Sequence, residues 1–394
     1  MVSRLGKVTI GVVPLVALAA VTAIKAPAEG AKPPPAAARP TTRVAGAAFA
    51  MTNVVDDNRI ITYSRAGDGR LTRVGSVSTR GNGIGTDLDT QGSLRLSADH
   101  RFLYAANAGS DDVSVFSVNG SDLTFLQKVY AGDEPNSMTL RDGLLYLLDG
   151  SVAGNGILGF TIGDDGRLTV IPHSARLLSS PIAVPGDIEF SPDGALLLVT
   201  EKTTNASMSP SNAIDAFRVR SDGRTSSLPR RDASSGLRPF SMAFRSDGTL
   251  VVAESFNAGP GVSAASSYDV TADGSLHVTS SSVGNGQTDT CWIVLTDDGR
   301  YAFTANFGSG TISSYGVSET GQLTLIEGGA ASLGAESQPV DLALSAKSHY
   351  LYLLLRGSGA VAAFEVGFGG QLKPLGVVGG ALPVADGASG LAAY

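Results

Sequence analysis

The stretch QGSLRLSADHRFLYAANAGSDDVSVFSV, residues 91–118, carries the pattern that predicts the fold. It contains three short runs rich in apolar residues, separated by the connections ADHR and NAGSDD. Asp, Asn and Gly favour tight turns because they tolerate a positive φ or hydrogen-bond to their own backbone. A fourth run, LTFLQKVYAG at 123–132, follows directly. The region therefore predicts four antiparallel strands joined by short turns.

The same arrangement recurs along the chain, and TCWIVLTDDGRYAFTANFGSGTISSYGV at 290–317 is a second clear copy. A Gly/Asp turn leading into an outer strand occurs seven times, with a spacing of about 50 residues. The residues that mark the copies are Leu71, Leu123, Leu168, Thr225, Leu276, Leu323 and Leu372. Four short strands per repeat are typical of propeller blades. We therefore predict an all-β, seven-bladed β-propeller over residues 44–394.

The two ends of the chain complement each other. The first copy supplies only three strands, GAAFAMTN, RIITYSR and LTRVGSV, and lacks an innermost one. The last segment, SGLAAY at 389–394, has the pattern of that missing strand. We predict that the C-terminal strand joins the N-terminal blade and closes the ring, which removes open sheet edges.

The composition limits the classes of function. The 394 residues include 49 glycines, and 43% are hydrophobic, which agrees with many short strands around a large core. The net charge of −7 and the lack of clustered Lys and Arg argue against nucleic acid as a partner. The only cysteine, Cys291, excludes an internal disulfide, and its apolar surroundings predict a buried, inert thiol.

The first 28 residues have the pattern of a secretory signal peptide. Basic MVSRLGK precedes the apolar run 8–24, and small residues suitable for cleavage follow. The run is of borderline length for a membrane anchor, but Gly11 and Pro14 favour a cleaved signal. Residues 29–43, rich in Pro and Ala, read as an extended linker. We expect a secreted, extracytoplasmic protein with no membrane attachment after cleavage.

Once the copies are aligned, the chain resembles the bacterial lactonase family of seven-bladed propellers. That family includes propeller-type 6-phosphogluconolactonases and carboxymuconate cyclases. The resemblance rests on the stretch at 91–118, on IEFSPDGALLLVTEK and on DGRYAFTANFGSGTISSYGV. It covers residues 47–394 and implies the propeller fold together with a lactone-opening activity at one mouth of the central channel.

The family's active members gather His, Arg and Glu side chains at that mouth. Their Pro-His-x-His element corresponds here to a strand with Gly186 and Asp187, and their Pro-Arg-His element to 239–241, with Arg238 two positions out of register. Their Asn-Arg-Gly element corresponds to 306–308. The family glutamate has a counterpart in Glu254 of VVAESF, which the resemblance implies as a candidate base.

Polar residues also end the predicted second strand of six copies: Asn53, Asn107, Asp149, Glu201, Glu254 and Asn306. Because equivalent positions lie on one face of a propeller, we expect a polar ring at one end of the channel, joined by Asp187 and Asp341 from inner strands. We predict acid/base roles for Glu254, Glu201 and Asp187. We predict ligand binding by Asn53, Asn107, Asp149, Arg238, Asn306 and Asp341.

The alternative interpretation of this ring is structural, since Asn and Asp at strand ends cap turns and hydrated polar groups line propeller channels. A further hypothesis is a hydrolase whose cation, such as Ca²⁺, is held by Asp149, Glu201 and Glu254. No other cofactor is expected.

Besides this metal-assisted hydrolase, two functions remain open. The first is an exported, lactonase-like hydrolase acting on a small cyclic ester or sugar-acid lactone. The second is a non-catalytic propeller, lacking the family's His and Arg residues, that binds a small-molecule ligand or a protein partner. We expect a monomer in either case.

Overall fold

The computed structural model describes residues 44–151, 155–180, 184–202, 212–384 and 387–394. The predicted signal peptide (1–28) and linker (29–43) lie outside the described residues. No helix within the described ranges is long and apolar enough to span a membrane.

The strands run in chain order as follows. The first fifteen are β1 (Val44–Met51), β2 (Arg59–Ala66), β3 (Leu71–Ser78), β4 (Leu94–Leu96), β5 (Phe102–Asn107), β6 (Asp112–Asn119), β7 (Asp122–Tyr130), β8 (Pro135–Arg141), β9 (Leu144–Asp149), β10 (Gly156–Ile162), β11 (Leu168–Val170), β12 (Arg176–Leu177), β13 (Val184–Phe190), β14 (Leu196–Lys202) and β15 (Ala213–Arg218). The others are β16 (Arg230–Ala233), β17 (Pro239–Phe244), β18 (Thr249–Glu254), β19 (Ala264–Val270), β20 (Leu276–Gly284), β21 (Thr290–Leu295), β22 (Tyr301–Asn306), β23 (Thr311–Val317), β24 (Leu323–Ser332), β25 (Pro339–Leu344), β26 (Tyr350–Leu355), β27 (Ala360–Val366), β28 (Leu372–Gly379) and β29 (Leu391–Ala393). Short 3₁₀ turns occur at Phe256–Ala258, Ala335–Ser337, Ala346–Ser348 and Arg356–Ser358.

These strands form seven antiparallel sheets, which are the seven blades. Blade 1 has the order β29-β1-β2-β3, and the next blades are β4–β7, β8–β12, β13–β16, β17–β20, β21–β24 and β25–β28. In blade 3 the outer strand is split into β11 and β12, both paired with β10. The prediction of a seven-bladed propeller is confirmed.

The C-terminal strand closes the ring as predicted. Ala48, Phe49 and Ala50 of β1 pair with Ala393, Ala392 and Leu391 of β29. The backbone N–H of Met51 also donates to the carbonyl of Gly390 at 3.1 Å. The innermost strand of the first blade therefore comes from the far end of the chain.

The core lies between neighbouring blades, because each sheet packs one face against the preceding blade and the other face against the following blade. The second strands are the most deeply buried, as in FLYAAN at 102–107, whereas the outermost strand at 122–130 alternates between exposed and half-buried residues. Tyrosines on second strands link one blade to the next: Tyr104, Tyr146 and Tyr352 donate to glycine carbonyls in the outer hairpin of the following blade. Cys291 is buried, as expected.

The closing strand generates a first prediction. Deleting Leu391–Tyr394 removes a buried leucine side chain, several backbone hydrogen bonds and the continuity of the ring. We expect a loss of about 5 kcal/mol in the free energy of unfolding, from about 2–3 kcal/mol for the leucine and about 1 kcal/mol for each lost bond.

Urea denaturation followed by tryptophan fluorescence measures this loss. The control is Val377→Ala on the outermost strand of blade 7, where the side chain is 58% exposed and the change should stay below about 0.5 kcal/mol. Equal stability of the truncated and full-length chains would show that β29 does not hold the ring together.

Candidate functional site

The two faces of the ring are defined by strand direction. Inner strands start where second strands end, as in the pairing of Pro239 with Glu254, and we call this side the upper face. Inner strands end on the opposite side, the lower face. The six polar residues predicted at second-strand ends all lie on the upper side of the ring, at or just after the ends of β1, β5, β9, β14, β18 and β22.

The expectation that these six side chains form an open ring around the channel is wrong. Asn53, Asn107, Glu254 and Asn306 are fully buried and Glu201 is 2% exposed. Each of the six side chains is hydrogen-bonded within a blade or to a loop beside it, including the connections that lead from one blade into the next. Their side chains therefore fix these connections instead of facing the channel.

Glu254 shows the arrangement most clearly. Its carboxylate accepts from the backbone N–H of Gly236 in the connecting loop at 2.8 Å, from Ser266 on the third strand at 2.5 Å and from Ser282 on the outer strand at 2.7 Å. Burial raises the pKa of Glu254, and these three donors oppose the shift. A carboxylate with no exposed surface and three local donors cannot contact a substrate.

The hypothesis of a cation held by Asp149, Glu201 and Glu254 also fails on geometry. Asp149 accepts from the backbone of Asp133 and Ser151, near its own connecting loop. Within the part of the chain that the structure describes, no three His, Cys, Asp or Glu side chains come close enough together to hold a metal ion. The three carboxylates therefore do not converge.

The upper end of the channel is filled by residues 86–92, TDLDTQG, which we call the plug. The plug belongs to the connection from blade 1 to blade 2, yet it bonds to the inner strands of blades 3, 4 and 6. Thr90 donates to the carbonyl of Asn136 at 2.8 Å and accepts from the indole of Trp292 at 3.1 Å. The Gln91 side chain exchanges two hydrogen bonds, both 2.9 Å, with the backbone of Ile293. The backbone N–H of Gln91 also donates to the carbonyl of Gly186.

Two aspartates of the plug are held by cations from blades 4, 5 and 7. Asp89 lies 2.9 Å from both Lys202 and Arg238, and Asp87 pairs with Arg356. Burial acts against the charge of Asp89, but the positive charges of Lys202 and Arg238 outweigh it, and the pKa of Asp89 is lowered. Arg238, predicted to bind a ligand, instead binds the chain's own carboxylate.

A cavity of about 610 Å³ lies at the lower face, below the plug. A second cavity of about 230 Å³ shares Gln91, Arg95, Val294 and Leu344 with it. The volume of the larger one is in the range of small-molecule sites. Its ionisable lining residues are Arg95, Arg141, Glu189, Arg245 and Asp297.

Arg95 on β4 is the central charged group of this cavity. Its Nε donates to the carbonyl of Met138 at 2.7 Å, and its Nη2 donates to Glu189 and lies 3.7 Å from Asp187. Glu189 also accepts from Thr139 at 2.9 Å. Burial opposes the charge on Arg95, but Glu189 and Asp187 outweigh this effect and raise its pKa. A guanidinium and a carboxylate thus sit side by side, each partly exposed to the cavity.

Asp187 and Asp341 do lie near the axis, as expected, but both are buried. Asp187 accepts from Ser137 on β8 and from the backbone of Met242 on β17, so it links three inner strands. Burial and the charge of Glu189 raise its pKa well above the usual value. Asp341 accepts from Gly390 at 2.7 Å, just before β29, and burial raises its pKa to about 6. Both act as struts between inner strands.

Arg95, Glu189 and the plug were missed by the sequence analysis. The signal for the first two was present, because SLRLS and DIEF each place a charge on an innermost strand, where one face points at the channel. No comparable signal exists for the plug, whose partners lie on five other blades.

The sequence matches the family model described as "Lactonase, 7-bladed beta-propeller" over residues 52–169 and 253–328. A search of curated proteins gives no significant match.

Several solved structures share the fold. A candidate 6-phosphogluconolactonase from Bacteroides fragilis is 18% identical, with a TM-score of 0.67, and the alignment covers 91% of this chain and 100% of that one. The periplasmic gluconolactonase of Pseudomonas aeruginosa is 17% identical, with a TM-score of 0.64 and coverage of 88% and 99%. A hypothetical selenium-binding protein from Sulfolobus tokodaii is 12% identical, with a TM-score of 0.59 and coverage of 88% and 92%. At such identities the likeness shows the fold alone.

The positions that the resemblance aligns with the relatives' His and Arg residues lie beneath the plug. Phe240 and Phe307 both pack against Trp292, with ring centroids 5.0 and 6.3 Å away. A Cβ atom at Gly186 would lie 2.3 Å from the carbonyl oxygen of Phe240, so no side chain fits there. The upper mouth is thus occupied by aromatic rings and by the plug.

The buried cation under the plug generates a second prediction. Lys202 has no exposed side-chain surface and pairs with Asp89. Lys202→Met should lower the free energy of unfolding by about 2 kcal/mol, because Asp89 keeps Arg238 but loses one of the two cations that balance its charge. Urea denaturation measures the loss, and hydrogen exchange at residues 86–92 should accelerate.

The matched control is Arg70→Met, since Arg70 pairs with Asp68 and both side chains are about half exposed. Its cost should be below about 1 kcal/mol. If the two substitutions cost the same, Lys202 does not anchor the plug.

Proposed function

Because the chain belongs to the lactonase family of seven-bladed β-propellers, we propose that it hydrolyses a small cyclic ester in the lower cavity. The observation that carries this proposal is the adjacent pair of Arg95 and Glu189, both of which line a cavity large enough for a sugar-sized lactone. The family's own site residues are not the basis, since their positions lie beneath the plug.

Lactone opening needs a base that activates water and a donor that stabilises the developing oxyanion. Glu189 is suited to the first role because its carboxylate is partly exposed and oriented by Thr139. Arg95 is suited to the second because its Nη1 is not used in its bonds to Met138, Glu189 and Asp187. Asp187, held by two neighbouring strands, is a positioning residue for Arg95.

In this scheme Glu189 accepts a proton from water as the water oxygen bonds to the lactone carbonyl carbon. Arg95 stabilises the oxyanion. The ring C–O bond then breaks, and the proton passes from Glu189 to the departing ring oxygen. The product is an open-chain hydroxy acid, whose new carboxyl group releases its remaining proton to solvent and stays as a carboxylate beside Arg95.

We further propose that the reaction takes place outside the cytoplasm. The basic and apolar pattern of the first 28 residues supports export. The structural likeness to a periplasmic gluconolactonase agrees with this location and with a sugar-acid lactone as the substrate class.

A second candidate function is ligand binding without catalysis. It is favoured by the two carboxylates that already neutralise Arg95, since a paired guanidinium is a weaker electrophile. Such a protein would hold a hydroxy acid or lactone in the same cavity and leave it unchanged.

A panel of simple and sugar-acid lactones, assayed by acid release, tests the proposal. Glu189→Gln should lower kcat at least about 100-fold, the usual range for loss of a general base. Arg95→Lys should lower it as well, because a lysine cannot keep both the Met138 contact and the oxyanion. The matched control is Glu365→Gln, which removes an exposed partner of Lys373 on the outer part of blade 7 and should leave the rate unchanged.

Turnover that survives Glu189→Gln would place the chemistry elsewhere and overturn the proposal. If no lactone is hydrolysed, but a lactone or hydroxy acid raises the Tm of the protein and not of Glu189→Gln, the second candidate is correct.

A further inference from the structure

Blade 4 departs from a pairing rule that blades 2, 5 and 6 obey. In those blades the polar residue at the end of the second strand meets a serine on the third strand. Asn107 bonds to Ser114, Glu254 to Ser266 and Asn306 to Ser313. The serines occupy equivalent places in the strand register, opposite Ala105, Val252 and Thr304. Each contact joins a hydrogen-bond donor to an acceptor.

In blade 4 the equivalent position, opposite Val199, is occupied by Asp215, and its neighbour on the second strand is Glu201. Both side chains are buried, at 0% and 2% exposure. The serine hydroxyl of the other blades is thus replaced by a second acid. Two ionised carboxylates at this position would repel each other in a site closed to water.

The hydrogen bonds satisfy only one oxygen of each acid. Asp215 Oδ2 accepts from the N–H of Ser179 at 2.7 Å, and Glu201 Oε1 accepts from Ser179 Oγ and from the N–H of Ser180, both at 3.1 Å. The other two oxygens, Glu201 Oε2 and Asp215 Oδ1, are buried and have no hydrogen-bond donor among the described residues. Such unsatisfied buried acceptors are rare in folded proteins.

Among the residues that the structure describes, the charges around the pair balance one negative charge. Arg231 on β16 lies opposite Asp215 in the register, and its Nε is 3.9 Å from Glu201 Oε2. The connecting loop contributes the neutral Ser179 and Ser180. Lys202, the next residue on β14, is bound to Asp89 of the plug. Arg231 therefore balances one carboxylate, and the second must be neutral.

We propose that Glu201 and Asp215 share a single proton, which joins their two unsatisfied oxygens and makes this pair a pH-sensitive latch on the connection into blade 4. The shared proton takes the place of the serine hydrogen in the other blades. When it is lost, the buried negative charges repel and residues 179–180 lose their fixed partners.

The electrostatics agree with this assignment. Burial, followed by the charge of Glu201, raises the pKa of Asp215 to about 7. An acid whose pKa is higher in the folded state binds its proton more tightly there than in the unfolded chain. Its contribution to stability is therefore present at low pH and disappears as the pH rises through about 7.

The latch lies directly before β13, the strand that carries Asp187 and Glu189. Loss of the proton therefore weakens the contacts of Ser179 and Ser180 with the second and third strands of this blade. This inference does not depend on the proposed function, because it concerns the folded state and not turnover.

The test compares the Tm of the full chain and of Asp215→Asn between pH 5 and pH 9. The amide keeps an acceptor for Ser179 and supplies a permanent donor to Glu201. The wild-type Tm should fall by roughly 5 °C more than that of Asp215→Asn as the pH rises from 5 to 8. Infrared difference spectra should show a protonated carboxyl band that disappears over the same range and is absent in Asp215→Asn.

A second variant introduces an equivalent pair of acids into blade 5. Ser266→Asp places an acid beside Glu254, so it should introduce an additional fall in Tm with rising pH and a second protonated carboxyl band. Ser227→Asp, at an exposed bend between β15 and β16, is the control for adding a carboxylate and should do neither.

Two results would overturn the inference. One is a pH dependence of Tm that is the same in the wild type and in Asp215→Asn, together with an unchanged carboxyl band. The other is a wild-type Tm that falls on chelation and returns with Ca²⁺ or Mg²⁺, which would mean that a cation joins the two acids. Asp215→Asn variants that fail to fold are replaced by Asp215→Ser, which restores the residue of blades 2, 5 and 6.

Discussion

Seven sheet edges meet at the axis of this ring, and their backbone groups need hydrogen-bond partners that no neighbouring strand supplies. The chain provides them with side chains and with the plug. Asp187 accepts a hydrogen bond from the backbone N–H of Met242, and Asp341 accepts one from the backbone N–H of Gly390. The Gln91 side chain accepts from the N–H of Ile293 and donates to its carbonyl. The polar residues near the axis are therefore needed first to complete the inner strands.

This requirement explains why the acids near the axis differ in accessibility. Those that serve as struts are buried and carry raised pKa values, as Asp187 and Asp341 do. Glu189 lies two residues further along the same strand as Asp187, on the side where the plug no longer fills the channel. One strand therefore carries both the structural acid Asp187 and the proposed catalytic acid Glu189, and the two differ in their distance from the plug.

The repeat made the fold predictable from the sequence. A spacing of about 50 residues and an incomplete first copy were enough to derive seven blades and the closure by the C-terminal segment. The site was predictable only in part. Strand ends such as Glu254 were located correctly, but the direction of a side chain at a strand end depends on local register and on the neighbouring loop. The plug depends on contacts between distant segments, and a single sequence does not encode those as a local pattern.

The plug also sets the order in which the molecule can become complete. Thr90 and Gln91 are separated by 202 residues from their partners on blade 6, and Asn53 by 334 residues from Gly387. Contacts of such high sequence separation form slowly, because a long loop must close before they are gained. The early blades can assemble from local hairpins, while the axis stays open until blades 6 and 7 have been synthesised. Sealing of the channel is therefore among the last events of folding, and a chain held unfolded until it has crossed a membrane would carry out that step only on the far side.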